Sequence, residues 1–170
     1  MRKKIALIVT LVICTMGMAA CGDKKDDDKK ETKTESTAAV QEDFSVSELA
    51  DKLKAEGSFT DLSPLESKIA VERLYGLDSS KIEDSAFYSN SNATAEDVAV
   101  IKVNDESYVA DVKKAIEDRV AEQTKSFESY NAAEVPKLED AVIITSGKYV
   151  VFVVSGDSAK AKDIIKGYIK

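Results

Sequence analysis

Few side chains in this sequence can do chemistry, and Cys21 is the most telling of them. It follows Met18-Ala19-Ala20 at the end of an apolar run from Ile5 to Met16, which itself follows Arg2, Lys3 and Lys4. A charged start, a short apolar core and a small-residue cleavage site are the parts of a secretory signal. The core is shorter than the about 20 apolar residues a membrane span requires. Met18-Ala19-Ala20-Cys21 has the form of a bacterial lipobox, with Met where Leu is usual. In that motif the cysteine thiol takes a diacylglycerol and becomes the first residue of the mature chain. Two acyl chains suffice for stable anchoring, where one is marginal.

The other candidates are weaker. Glu96-Asp97, just before an apolar run, reads either as turn-capping chemistry or as a ligand-facing acidic pair. Ser146-Gly147-Lys148 and Ser158-Ala159-Lys160 set serine near lysine, as serine–lysine hydrolases do. Such enzymes need a desolvated lysine, and a hairpin turn and a helix cap account for these residues better. Glu117, Asp118 and Glu122 belong to the solvated face of a helix. Histidine is absent, and the two cysteines are Cys14 and Cys21. Imidazole bases, thiol catalysis and Cys/His zinc sites are therefore closed to the region after Cys21. No phosphate-binding glycine loop or calcium-loop spacing occurs. We assign no catalytic residue, no metal ligand and no cofactor from the sequence.

The chain carries a net charge of −7 and contains no tryptophan. An acidic domain repels phosphate backbones, which argues against nucleic acid as a partner. It is also repelled by anionic headgroups, so the lipid on Cys21, not the domain surface, is expected to hold the protein at the membrane.

Three segments follow. Residues 1–20 read as the lipoprotein signal peptide. Residues 21–43 read as the lipidated cysteine and a disordered, charged linker, because Val40 is the one aliphatic residue larger than alanine after Cys21 and such a segment cannot offset its ordering entropy. A coil of that length spans about 25 Å. Residues 44–170 read as a single domain, long enough to form a core without disulfides.

Within it, Val46, Leu49, Ala50 and Leu53 form one helical stripe, with Ser45 or Ser47 as cap and Gly57 as stop. Ser63-Pro64-Leu65-Glu66 predicts the start of a second helix, running to Tyr75, with Pro64 in its first turn. Ile82–Ser89 and Val98–Val103 predict two strands. The second is apolar nearly throughout, as in a strand covered on both faces. Asn104 is expected to cap a long helix carrying Val109, Val112, Ile116, Val120, Phe127 and Tyr130 on one side, with a gap at Gln123. Ala141–Thr145 and Lys148–Val154 predict a hairpin about Ser146-Gly147. Asp157 or Ser158 caps a last helix. The order α-α-β-β-α-β-β-α predicts an α+β fold, two-layered, with a mainly antiparallel four-stranded sheet.

Residues 44–170 resemble a family of Gram-positive, mostly clostridial lipoproteins known as a domain of unknown function, number four-three-five-eight. The resemblance rests on Tyr75-Gly76-Leu77-Asp78, on Ala95-Glu96-Asp97-Val98-Ala99-Val100-Ile101, on the long helix ending near Phe127 and Tyr130, and on Gly147-Lys148-Tyr149-Val150. It implies the layout of lipidated leader, polar linker and one small domain, and it brings no activity or ligand with it.

The expectation is therefore a lipoprotein on the outer face of the cell membrane, anchored by diacylglycerol on Cys21. Its domain would be a non-enzymatic binding or scaffold module for an envelope protein, peptide or glycan. The alternative is a cell-envelope hydrolase working through carboxylates.

Overall fold

Two strands carry the domain, and their alternation explains the rest. In the computed structural model, which describes residues 43–90 and 94–169, β3 (Asp97–Val103) pairs antiparallel with β5 (Tyr149–Val154) in the register Ala99↔Phe152 and Ile101↔Val150. Successive side chains on a strand point to opposite faces. Ala99, Ile101, Val103, Val150, Phe152 and Val154 therefore share one face, and Val98, Val100, Val151 and Val153 the other. All ten are at most 1 % exposed, so both faces must be covered.

They are, by different helices. On one face α3 (Val109–Tyr130) lays down Val112, Ile116 and Phe127, joined by Leu138 of α4 (Val135–Glu139). On the other, α1 (Val46–Glu56) lays down Val46, Leu49, Ala50 and Leu53, and α5 (Ser158–Lys166) adds Ala161, Ile164 and Ile165. Fully burying one such aliphatic side chain contributes about 1.5–3 kcal/mol. The class is α+β with an antiparallel sheet, as expected. The layering differs: helices lie on both faces, giving three layers and not two.

Among the described residues the sheet has five strands, not four, in the order β1-β2-β3-β5-β4, with β1 at Ser63–Leu65, β2 at Ile82–Ser89 and β4 at Val142–Ser146. The additional strand lies where a helix start was expected. Pro64 sits opposite Tyr88 on the outermost strand. A first helical turn and an edge strand both dispense with the proline N–H, so the residue suits either. The helix begins instead at α2 (Ser67–Ile69), where Ser67 Oγ donates to Ser85 O at 2.7 Å. It then widens into a π-turn over Ala70–Leu74, with Tyr75 N donating to Ala70 O. Gly76, at φ +62°, ends it.

Because β5 lies between them, β3 and β4 run parallel, and α3 is the crossover that joins them. Asp105, not Asn104, caps the 3₁₀ turn Glu106–Tyr108 that leads into α3, while Asn104 donates its amide to Ser80 O. Tyr130 stands 71 % exposed, touching Phe127 edge-on, and is not part of the inward stripe. Ser45 caps α1 and Asp157 caps α5. Register Ser146↔Tyr149 places the hairpin turn at Gly147-Lys148, one residue later than expected, with Gly147 at φ +49°.

Candidate functional site

Polar groups gather at the two ends of the sheet. At one end lie Glu96 and Asp97, where β3 begins. Each is 1 % exposed. A carboxylate so placed must be met by donors or shift to its neutral form.

Glu96 is met from two sides. Its Oε2 accepts from Thr60 N at 2.7 Å and from Asp61 N at 3.3 Å. Its Oε1 accepts from Thr60 Oγ1 and from Lys137 Nζ, both at 3.1 Å. Burial raises this carboxyl, but the Thr60 and Asp61 amides and Lys137 outweigh it and hold the group below the usual glutamate range. Lys137 reaches Glu96 from α4 and also pairs with Glu134 at 2.9 Å, while Glu134 accepts from Ala95 N at 2.9 Å. One charged cluster thus ties the segment between α1 and β1, the entry to β3, and α4 together.

Asp97 is met by Arg119 of α3, whose Nη2 and Nε donate to Oδ2 at 2.7 and 3.2 Å. Burial pushes the Asp97 carboxyl up, and Arg119 pulls against it. The guanidinium also lies over the Tyr75 ring, 5.4 Å from its centroid. The Tyr75 hydroxyl is buried beside that guanidinium without a well-formed hydrogen bond among the described residues, and burial followed by the Asp97 charge drives its pKa well up against the opposing pull of Arg119. Gln123 Oε1, one turn beyond Arg119 on α3, and Thr94 Oγ1 are likewise buried without a hydrogen-bond partner among the described residues.

The structure therefore brings Glu96 and Asp97 together with protein donors and turns neither carboxylate toward solvent. Cys21 lies outside the described residues. Sequence reasoning missed the partners Thr60, Arg119, Glu134 and Lys137. Arg119 carried a signal, since it stands three residues after Ile116 on the inward side of α3. The gap at Gln123 was part of the same signal, marking where polar groups replace the apolar stripe.

The other end of the sheet is open. A hollow of about 300 Å3 is lined by Asp43, Glu83, Lys102, Lys148 and Tyr149. Lys102 pairs there with Glu83 at 2.7 Å and with Asp43 at 3.0 Å, and these contacts, Glu83 first, raise its pKa. Tyr149 donates its hydroxyl to Asp43, and its ring stacks on Phe44 at 4.2 Å between centroids. A second hollow of about 450 Å3 lies among Ser80, Lys81, Asn104, Asp105, Ser107, Tyr108 and Asp111. Among the described residues no group of three or more carboxylate, His or Cys side chains is placed to hold a metal ion. No helix among them is long and apolar enough to cross a membrane.

The family model described as "Domain of unknown function (DUF4358)" matches residues 55–155. The chain belongs to this family. No curated protein and no solved structure matches it. The matched DUF4358 span opens at the end of α1 and closes just after β5, so it holds the whole sheet and every member of the buried charge cluster. Asp43, Phe44 and α5 lie outside it. The matched span thus contains Glu96, Asp97, Arg119 and Lys137.

Proposed function

We infer that this DUF4358 chain is a lipoprotein on the outer face of the cell membrane, anchored by a diacylglycerol on Cys21, whose domain serves as a non-enzymatic binding or scaffold module. The observation that carries the reading is Met18-Ala19-Ala20-Cys21 at the junction of an apolar run with a charged, core-poor stretch. No later cysteine competes for that role.

The chemistry of the domain supports the binding module over the alternative, an envelope hydrolase. A two-carboxylate hydrolase needs both groups facing one substrate cleft, one of them with a raised pKa. The adjacent pair Glu96-Asp97 is committed to Thr60, Asp61, Lys137 and Arg119 instead. Partners would be an envelope protein, peptide or glycan, reached over a tether of about 25 Å.

The test is metabolic labelling with radioactive palmitate and alkaline extraction of membranes, for the wild type and Cys21→Ala. Wild type should carry label and stay with the membrane. Cys21→Ala should lose the label and become extractable. A Cys21→Ala protein that still resists extraction would overturn the anchor. Cross-linking in intact cells then separates the two functional readings, since a wall fragment turned over by the protein, with no cross-linked partner, would favour the hydrolase.

A further inference from the structure

Lys102 is the one charged residue of β3 after Asp97, and its neighbours along the strand are all buried and apolar. Its register partner on β5 is Tyr149, which is 2 % exposed. The pair shares one face of the sheet at its open end, where the Lys102 ammonium lies 5.5 Å from the centre of the Tyr149 ring.

Both side chains donate to the same atom. Lys102 Nζ, at 3.0 Å, and the Tyr149 hydroxyl meet at Asp43 Oδ1. A lysine ammonium has three N–H donors, and Glu83 takes another at 2.7 Å, which holds the side chain in position. An ammonium and the hydroxyl of a buried residue aimed at one carboxylate oxygen form a receptor for that group, through charge-assisted hydrogen bonds.

The occupant is held less firmly than the receptor is built. The Asp43 side chain is 78 % exposed against 17 % for Lys102, and an ion pair with so exposed a member is weak. With Asp43 in place the hollow still has about 300 Å3 unfilled, at the lower end of the range of small-ligand sites. Lys148 lines that space too and makes no ion pair among the described residues. Glu83, Lys102, Lys148 and Tyr149 all lie within the matched span of residues 55–155, and Asp43 lies outside it.

We propose that this end of the sheet is a carboxylate-binding site, formed by Lys102, Tyr149 and Lys148, which Asp43 fills from within the chain until the carboxylate of a partner peptide displaces it. The proposal rests on the reading of the domain as a binding module and gives the partner its chemistry: a peptide or protein presenting an acidic side chain or a free C-terminus. The incoming carboxylate takes over the two bonds made to Asp43 and gains Lys148 as a further cation.

The test titrates the isotope-labelled full-length chain in detergent micelles with acetylated tetra-alanine as the free acid, as the C-terminal amide, and as the amide with one alanine replaced by glutamate. Each acidic probe should move the backbone amide signals of Lys102, Lys148 and Tyr149, and the tighter of the two identifies the source as a chain terminus or a side chain. The plain amide should move none of them. Asp43→Ala should bind the tighter probe about two- to fivefold better, because it removes a weak competitor. Tyr149→Phe keeps the ring stacked on Phe44 and should weaken binding about tenfold, the loss of one hydrogen bond to a charged group. Lys148→Ala, at an exposed position, should weaken it about two- to fivefold.

The proposal is overturned if the plain amide binds as tightly as the acidic probes, if neither acidic probe moves those signals in the wild type or in Asp43→Ala, or if Asp43→Ala binds no better than the wild type. Cross-linking in intact cells separates this failure from that of the module reading. A partner captured equally by the wild type, Tyr149→Phe and Lys148→Ala would leave the module in place and remove this site.

Discussion

Arg119 Nη2 stands 2.7 Å from Asp97 Oδ2, joining the middle of α3 to the first residue of the central strand, with the carboxylate 1 % and the guanidinium side chain 14 % exposed. An ion pair removed from water this far is weak evidence of net stability, but removing one partner leaves an uncompensated buried charge. Arg119→Met should therefore cost about 3–5 kcal/mol. Asp97→Leu/Arg119→Met should recover most of that loss. Urea denaturation of the two variants and the wild type measures both figures, and a double variant no better than Arg119→Met would show that the pair has no apolar substitute.

Glu96 makes stability depend on acid. Its folded pKa is depressed, so its contribution is fully present above the unfolded glutamate value of about 4.3 and is lost as pH falls through the lower folded value. Asp97 has the opposite sign. Its folded pKa is raised, so its contribution is fully present below the unfolded aspartate value of about 3.9 and declines as pH rises through the folded one. Glu96→Gln should cost about 2 kcal/mol at pH 7, as charge-assisted hydrogen bonds are replaced by neutral ones. It should also flatten the decline of stability below about pH 4.3. Thermal melts of wild type and variant between pH 3 and 7 check the sign.

The buried Tyr75 hydroxyl, with no well-formed hydrogen bond among the described residues and only Arg119 beside it, is a cost the fold carries. Tyr75→Phe keeps the ring against Phe87 and beneath Arg119 while deleting that hydroxyl. The variant should match the wild type or exceed it by about 1 kcal/mol in equilibrium unfolding. A loss of stability would mean that the hydroxyl has a hydrogen-bonding role in solution.

Gly76 tests the end of the π-turn. Its φ of +62° is left-handed, and an added Cβ would meet nothing within 4 Å. Gly76→Ala should thus cost only the backbone term, about 1–2 kcal/mol, and Gly76→Asn less, since asparagine tolerates this conformation better. A larger loss for Gly76→Ala, read from the same unfolding curves, would point to steric rather than torsional strain.

Much of this architecture was legible in short stretches of sequence. Ser45 followed by Val46, Leu49, Ala50 and Leu53 announced α1, and all four apolar residues are buried. The unbroken apolar run of β3 predicts a strand covered on both faces, and such cover requires three layers where the order of elements suggests two. Stretches in which one residue type suits two structures are ambiguous. Ser63-Pro64-Leu65 fits a helix start and an edge strand equally well until β2 is beside it.

The charge cluster was not legible. Glu96 and Asp97 stood out as an acidic pair before a strand, but their role depends on residues far along the chain: Thr60 is 36 positions from Glu96, Lys137 is 41, and Arg119 is 22 from Asp97. Helix caps, strand alternation and turn glycines act between neighbours within a few residues, so the sequence alone determined most of the elements and the α+β class, though not β1. Which carboxylate meets which cation depends on how the crossover helix and the strand order fold those elements together. Only the tertiary structure, through the burial it imposes on Glu96 and Asp97, decided that this acidic pair is held by the protein's own donors.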